Sequence, residues 1–170
     1  EASEKKGEQR LEKMVSGRYM GELFGMALAE LLGTKEHMHA FTSIDLSRIL
    51  EDVNEDAQSA ASIVETATGQ MLSAEDAVCV RELARTIVVR SVRLIAATFV
   101  GTLWQITGEG EIRSQHIAVD GSVYEKMPLV KETMADAFAE LLGEDAPKVD
   151  TILASCGSGL GAALAAAMVE

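Results

Sequence analysis

The sequence is poor in aromatic residues and in cysteine. Aromatic side chains make up only 4% of the 170 residues, so the core must be built from Ala, Leu, Val, Ile and Met. The two cysteines, Cys79 and Cys156, lie far apart, and a zinc site would need more ligands at close spacing. We interpret them as reduced thiols of a cytosolic protein. A chain of this length can bury a core without such crosslinks.

Positive charge is also scarce: 15 basic residues stand against 27 acidic ones, a net charge of −12. This argues against nonspecific nucleic-acid binding, which needs a basic surface, and against docking on anionic membranes. The longest apolar-rich stretch, 86–106, is interrupted by Arg90, Arg93 and Gln105, so we expect no membrane insertion. An anionic ligand would need local donors or a metal ion to offset the overall charge.

The two ends of the sequence suggest a piece of a longer protein. Residue 1 is Glu rather than Met, and no secretory signal pattern follows it. Glu170 falls in the middle of a helix-like pattern. We therefore expect a fragment or a processed chain, located in the cytoplasm.

The first two thirds are expected to be helical. Residues 8–32 are predicted to form one helix, because apolar residues recur at helical spacing and Gly33 ends the pattern. Within it Gly17, Gly21 and Gly25 form a bare stripe, although each glycine costs about 1 kcal/mol relative to alanine. Such a stripe indicates that another backbone or a ligand comes close, and tight helix packing is the alternative explanation.

Three more helices are expected after a polar connector. Ser43 can cap the first of them, and Gly69 ends the second. Ser73 and Asp76 resemble a capping box at the start of the third. The third helix, at about 45–50 Å, is long enough to be kinked or divided. The expected helices cover residues 42–53, 54–68 and 73–106.

The last third has a different sequence pattern, in which each predicted strand leads through a glycine-containing turn into a helix. Asp120-Gly121 between apolar flanks is a hairpin signal. Residues 1–110 are therefore expected to be mainly helical, and residues 111–170 to form a strand–turn–helix part. The expected elements of that part are a strand at 114–119, a helix from near Pro128 to near Leu142, a buried strand at 148–153, a glycine loop at 157–161 and a helix at 162–169.

The glycine loop is the clearest chemical feature. Gly157, Gly159 and Gly161 let backbone amides face a ligand at a helix N-terminus, which favours phosphate or another polar group. The spacing is not that of a Walker A motif, because Lys and Ser/Thr are missing after the last glycine, and it is not the Rossmann spacing. A tight turn with close helix–strand packing is the alternative.

Two other stretches carry polar chemistry. Asp120-Gly121-Ser122 could hold a phosphate oxygen, with its carboxylate reaching metal-bound water, or could be an ordinary β-turn. Gln9 and Glu12, three apart on one predicted helix face, suit neighbouring sugar hydroxyls, since each hydroxyl both donates and accepts. The alternative is a solvated helix face that also carries Arg18. The three histidines form no cluster with metal-ligand spacing.

Taken in order, these segments resemble the C-terminal part of eukaryotic-type hexokinases and glucokinases, members of the actin-like ATPase superfamily. The resemblance covers essentially the whole chain, and its first and third stretches are highly specific in combination. The four stretches are GEQRLEKMVSGRYMGEL at 7–23, VVRSVRLIAATFVG at 88–101, IAVDGSVY at 117–124 and GSGLGAAL at 157–164.

The resemblance implies a role for each candidate residue. It places the catalytic aspartate and the first phosphate loop in an N-terminal half that this chain lacks, so no catalytic residue and no metal ligand is assigned here. We therefore expect the chain alone not to phosphorylate glucose at a useful rate. The implied contacts are glucose hydroxyls for Gln9 and Glu12, nucleotide phosphates for Gly17 and Arg18, the phosphate path for Asp120, Gly121 and Ser122, and adenosine for Gly157, Ser158, Gly159 and Gly161.

The implied fold is α/β: half of an actin-like, ribonuclease-H-like ATPase lobe with a large helical portion. The implied activity is transfer of the γ-phosphoryl group of Mg-ATP to the 6-hydroxyl of glucose or a related hexose, with the N-terminal half of the same kinase as partner. Two departures from the family pattern, His37-Met38-His39 and Ser155-Cys156, keep open a non-catalytic hexokinase-like domain for sugar sensing or protein association. A helical interaction domain with an accidental glycine loop is a third interpretation.

Overall fold

A computed structural model describes residues 6–33, 40–108, 111–154 and 157–168. The chain divides into two compact units, Glu1–Leu94 and Ile95–Glu170. The described elements are, in order, α1 (Arg10–Val15), α2 (Gly17–Leu31), α3 (Ser43–Glu51), α4 (Gln58–Thr68), α5 (Ala74–Thr107), β1 (Gln115–Val119), α6 (Ser122–Lys126), α7 (Val130–Leu142), a 3-10 segment (Gly143–Lys148), β2 (Val149–Leu153) and α8 (Gly157–Ala167).

The core of the first unit is built from one apolar face of each of its longer helices. The ring of Phe24 on α2 meets the ring of Phe41 edge to face, with 5.0 Å between the ring centroids. Aliphatic side chains supply the rest, as the shortage of aromatic residues requires. The largest fully buried side chains of this unit are Met20, Phe24, Leu28, Leu46, Ile49, Val64, Val88 and Val92.

The single helix predicted over 8–32 is wrong, because the chain breaks at Ser16. Ser16 is extended, with φ −75° and ψ 148°, and separates α1 from α2. The carbonyl of Met14, left without a helical partner by the break, accepts a hydrogen bond from the Ser91 hydroxyl on α5. The apolar periodicity on both sides of Ser16 is genuine, but it cannot show an interruption that a distant side chain stabilises.

At Gly21, the middle residue of the glycine stripe, another part of the backbone comes close to α2. A Cβ atom built on Gly21 would lie 2.2 Å from the carbonyl oxygen of Phe41 and 2.5 Å from Cα of Thr42. No side chain fits at such distances, so only glycine lets the segment entering α3 lie against α2. The close approach of another backbone is therefore confirmed at Gly21.

The N-cap of α3 is Thr42, not Ser43 as predicted. The Thr42 side chain accepts a hydrogen bond from the Asp45 backbone amide at 3.4 Å, and the Asp45 carboxylate accepts one from the Thr42 amide at 2.8 Å. This is a reciprocal capping box. The sequence offered two adjacent hydroxyl residues, and the position of Asp45, three residues after Thr42, decides between them.

Replacing Thr42 with alanine is expected to lower the free energy of unfolding by about 1 kcal/mol, because the Asp45 amide loses the hydroxyl that caps it. The matched control is Ser43→Ala, which removes the neighbouring hydroxyl and is expected to change stability by less than about 0.5 kcal/mol. Urea unfolding of both variants measures the difference. An equal loss in both would mean that Thr42 is not the cap.

Helix α4 begins at Gln58, four residues later than predicted, because residues 52–57 form a loop that hydrogen bonds hold in place. The Asp52 carboxylate accepts hydrogen bonds from the backbone amides of Ser59, at 2.8 Å, and Asn54, at 3.0 Å. These bonds lower the pKa of Asp52 below its ordinary value, and the bond from the Ser59 amide has the largest effect. Arg81 of α5 donates to the carbonyl oxygens of Asp52 and Asn54. Gly69 ends α4 in the left-handed conformation, as predicted.

Helix α5 runs without interruption over 34 residues, or about 51 Å. The predicted start is confirmed, since the Ser73 hydroxyl accepts from the Asp76 amide at 3.1 Å. By length and composition α5 could cross a membrane, a test that core helices of soluble proteins also pass, and 39% of its most apolar window is buried inside the protein. Cys79 on this helix is exposed, whereas Cys156 lies outside the described residues.

In the second unit, β1 and β2 pair in parallel, from Gln115 opposite Val149 to Val119 opposite Leu153. The predicted hairpin at Asp120-Gly121 is therefore wrong. The chain enters α6 at that point and returns to the sheet through α7 and the 3-10 segment, the kind of crossover that parallel pairing requires. Strand β2 alternates between exposed residues and buried or half-buried ones. The prediction that the whole strand is buried is therefore wrong.

Side chains from three segments fasten β2 within the second unit. The Tyr124 hydroxyl of α6 donates to the side-chain oxygen of Thr151 at 2.6 Å. Lys148, just before the strand, forms ion pairs with Asp145 at 2.8 Å and Glu111 at 2.7 Å. Its hydrogen bonds to Asp145 and then Glu111 raise the pKa of Lys148 to about 12. The buried apolar residues of α7 and β2 are Val130, Met134, Ala137, Phe138 and Val149.

Candidate functional site

The carboxyl ends of the two parallel strands meet at one edge of the sheet. The pairing continues beyond the strands, where the Ala154 amide donates to the Val119 carbonyl at 2.9 Å. The chain leaves β1 through Asp120 and re-enters a helix beyond β2 at Gly157. In open α/β sheets, ligands bind outside this edge, so the fold presents both predicted phosphate-binding stretches on the side where such binding occurs.

Asp120 and Gly157, which are distant in sequence, lie side by side at this edge. A Cβ atom built on Gly157 would lie 3.5 Å from Oδ2 of Asp120 and 3.3 Å from Cβ of Ala154. Gly121 has φ 125°, a conformation that side chains rarely adopt, and it turns the chain into α6. The exposed Ser122 begins that helix. The structure thus brings together the Asp120–Ser122 stretch and the first glycine of the second stretch.

The predicted glycine loop is instead the start of α8, which begins at Gly157. Gly157 lies close to Ala154 and Asp120, just beyond the two strands, but no described neighbour lies within 4 Å of a Cβ built on Gly159 or Gly161. Within the described part of the chain, these two glycines therefore border open space rather than a packed neighbour. The side chain of Ser158 lies outside the described residues.

The candidate sugar-binding residues lie at the start of the first unit. Gln9 is the residue that precedes α1, with a left-handed φ of 50°, and Glu12 lies within the first turn. The two side chains are exposed. Gln9 is not helical, so the prediction that Gln9 and Glu12 share a helix face is wrong. The two residues are close along the chain, three positions apart.

Gly17 and Arg18 form the first turn of α2, immediately after the break. The Arg18 guanidinium is exposed and lies 5.5 Å from the centroid of the Tyr19 ring. These two residues belong to the first unit, whereas Asp120 and Gly157 belong to the second.

Sequence reasoning missed one polar contact next to the candidate sugar site. The Ser91 hydroxyl on α5 lies 3.1 Å from the Met14 carbonyl oxygen, and Arg90 Nη1 lies 3.5 Å from the same oxygen. The available signal was a small hydroxyl residue inside an apolar helical run, where a buried hydroxyl needs a partner. Nothing local shows which distant atom that partner is.

His37-Met38-His39 and Ser155-Cys156, the two departures from the family pattern, lie outside the described residues. Across the described ranges, no group of three His, Cys, Asp or Glu residues is placed to hold a metal ion. A polar cleft of about 580 Å³ lies at α3 and α4, and none of its lining residues is a candidate site residue; they are Arg48, Glu51, Asp52, Asn54, Gln58, Ser59, Ser62 and Ile63.

The fold class is a partial α/β lobe of the actin-like ATPase type, mostly helical with a small parallel sheet. A solved hexokinase crystal structure superposes with a TM-score of 0.76 and 26% sequence identity over 92% of this chain and 36% of that one. The hexokinase family model matches residues 1–168. The chain belongs to the hexokinase family, and the predicted family and fold class are both confirmed.

Curated relatives show the same likeness at the level of sequence. Hexokinase-1 of rice (Oryza sativa subsp. japonica) is 36% identical over 95% of this chain. Hexokinase-1 of Saccharomyces cerevisiae is 32% identical over the whole chain, and a hexokinase of Toxoplasma gondii is 29% identical over 98% of it. The chain spans only 36–37% of the length of these relatives.

Proposed function

We propose that this chain supplies part of the sugar site and part of the nucleotide site of a hexokinase that phosphorylates glucose or a related hexose at its 6-hydroxyl. One observation carries the proposal: in a chain of the hexokinase family, Asp120 and Gly157 converge at the carboxyl edge of a parallel sheet. That edge suits a phosphate-bearing ligand, because the chain turns there through glycine and backbone amides start a helix.

The nucleotide part of the proposal uses residues of the second unit. Backbone amides at Gly121, Ser122 and the start of α8 bind phosphate oxygens and the adenosine, and the open space beside Gly159 and Gly161 leaves room for it. The acidic chain repels ATP, so the charge of Mg²⁺ has to offset that repulsion. Asp120 is suited to hold Mg²⁺ through a metal-bound water, since carboxylate and water oxygens are its usual ligands.

The sugar part uses residues of the first unit. The Glu12 carboxylate accepts hydrogen bonds from hexose hydroxyls, and the Gln9 amide both donates and accepts. The resemblance to hexokinases assigns Gly17 and the Arg18 guanidinium, at the start of α2, to the nucleotide phosphates. In this proposal the catalytic aspartate is supplied by the N-terminal half of the same kinase, the complete enzyme works in the cytoplasm, and this chain alone is inactive.

A chimera tests the proposal directly. The matching segment of rice Hexokinase-1 is replaced by residues 1–168 of this chain, and ATP-dependent phosphorylation of glucose is measured with and without Mg²⁺. We expect activity that requires Mg²⁺, with the rice protein as positive control and residues 1–168 alone as negative control. A folded chimera that binds glucose and Mg-ADP but forms no sugar phosphate would contradict the proposal.

A non-catalytic domain for protein association is the second candidate, and the surface of α8 favours it. Residues 157–168 carry no charged side chain, yet Leu160 is 62% exposed and Leu164 57% exposed. A ligand that binds the folded state raises its melting temperature. If neither glucose nor Mg-ADP, nor the two together, shifts the midpoint of a cooperatively melting chain, the association role becomes the better interpretation.

A further inference from the structure

Two side chains of α5 contact the end of α1 at the Met14 carbonyl, and we call this contact the tether. Helix α1 has six residues, none of them fully buried, and a helix this short is not stable by itself. Its end is fixed at Met14, whose carbonyl has no helical amide to accept from because the chain is extended at Ser16. The donors that reach this oxygen are Ser91 Oγ at 3.1 Å and Arg90 Nη1 at 3.5 Å.

Ser91 is the better placed of the two donors. Its side chain is completely buried, whereas Arg90 is exposed and its contact lies at the outer limit of a hydrogen bond. A hydroxyl has a single proton, and Ser91 Oγ also lies 2.8 Å from the Ile87 carbonyl of its own helix. The Ile87 carbonyl already accepts a backbone amide within α5, whereas the Met14 carbonyl lies at a helix end without one. We therefore assign the Ser91 proton to the Met14 carbonyl.

We propose that Ser91 is a positioning residue for the hexose site: its hydroxyl holds the end of α1 against α5 and thereby sets where the Glu12 carboxylate lies. The inference rests on the proposed function, because it gives Glu12 its role. Glu12 lies two residues before Met14 in the same short helix. Loss of the tether therefore displaces the carboxylate without removing any group that touches the sugar.

The first test uses native-state trypsin digestion of this chain. Ser91→Ala removes the donor, and Ser91→Thr keeps it. Thr102→Val is the control, since the Thr102 hydroxyl donates to the Thr98 carbonyl of its own helix. We expect cleavage after Lys13 and Arg18 to become about fivefold faster in Ser91→Ala, the effect of one lost hydrogen bond.

Cleavage at distant sites separates local release from general destabilisation. Sites after Arg81 and Lys126 are expected to keep the wild-type rate in Ser91→Ala, and all sites are expected to keep it in Thr102→Val. If Ser91→Ala accelerates cleavage equally at every site, or at none, the tether is overturned. If Ser91→Thr does not fold, the comparison of Ser91→Ala with wild type and Thr102→Val still decides.

The second test measures steady-state kinetics of the rice chimera. In Ser91→Ala we expect the hexose KM to rise about fivefold, with the ATP KM and kcat changed less than about twofold. A merely structural role would lower kcat through loss of active protein and leave the hexose KM unchanged, and that result would overturn the positioning role. An inactive wild-type chimera would instead contradict the proposed function, and the trypsin result would then still report on the tether itself.

Discussion

Replacing Gly21 with alanine is expected to lower the free energy of unfolding by about 3 kcal/mol, although alanine is the better helix former. The new methyl group would lie 2.2 Å from the Phe41 carbonyl oxygen and 2.5 Å from Cα of Thr42, and both atoms belong to the backbone. They cannot rotate away as a flexible side chain can, so α2 and the segment before α3 must separate. Overpacking of this kind typically costs about 1–3 kcal/mol or more, which exceeds the gain in helix propensity of about 1 kcal/mol.

Gly101 provides a control with the opposite expected sign. It lies inside α5, and no described atom comes within 4 Å of a Cβ built on it. Gly101→Ala is therefore expected to raise the free energy of unfolding by about 1 kcal/mol through helix propensity alone. Urea unfolding of both variants measures the two effects. If Gly21→Ala is as stabilising as Gly101→Ala, then the two backbones are not in contact at Gly21.

A destabilised Gly21→Ala variant would also connect the fold to the candidate site. Gly21 lies one helical turn after Gly17 and Arg18 on α2, and the segment it contacts is the capped start of α3. Separating these elements would shift the start of α2 relative to the core. The glycine therefore matters through the position of a backbone rather than through a ligand contact of its own.

Local patterns were sufficient where a local cause decides the structure. The starts and ends of α5 and α7 were predicted closely, because apolar periodicity, a Ser73–Asp76 cap and Pro128 all act within a few residues. The strand positions were also predicted to within one residue. In these segments propensity, capping and burial favour the same structure, so tertiary contacts did not need to override any of them.

The errors occurred where a distant part of the chain decides. At the break before Ser16, the Met14 carbonyl accepts a hydrogen bond from the hydroxyl of Ser91, 77 residues away. Asp120-Gly121 has the composition of a hairpin, yet the partner of β1 is β2, reached only after two helices. Pairing direction is a property of the whole sheet, and a two-residue turn signal carries no information about it.

The candidate site was predicted from resemblance more than from spacing. Nothing in the local sequence shows that Asp120 and Gly157 are neighbours in space, and the four ordered stretches were what indicated a common site. The prediction that Gln9 and Glu12 share one helix face is wrong, because Gln9 has a left-handed backbone and lies outside the helix. Its conclusion about sugar binding therefore depends on the family and on experiment.

Replacing Glu12 with alanine in the rice chimera is expected to raise the hexose KM by roughly 10–100-fold. A hydrogen bond to a charged group is worth about 1.5–3 kcal/mol, and each 1.4 kcal/mol corresponds to about tenfold in affinity. Because Glu12 is exposed and no residue of α1 is buried, the stability of the chain should change by less than about 0.5 kcal/mol. Steady-state kinetics with varied glucose, together with thermal melting, measures the two quantities separately.

Glu8 supplies the matched control for this variant. It is also exposed, carries the same charge and lies four residues earlier, before α1 begins. Glu8→Ala is expected to leave the hexose KM within about twofold, because screened surface charge contributes little. Equal effects of the two variants would assign the result to overall charge and remove Glu12 from the sugar site. A large effect of Glu12→Ala with an intermediate one for Glu12→Gln, which keeps an acceptor but loses the charge, would show that the carboxylate itself binds the hexose.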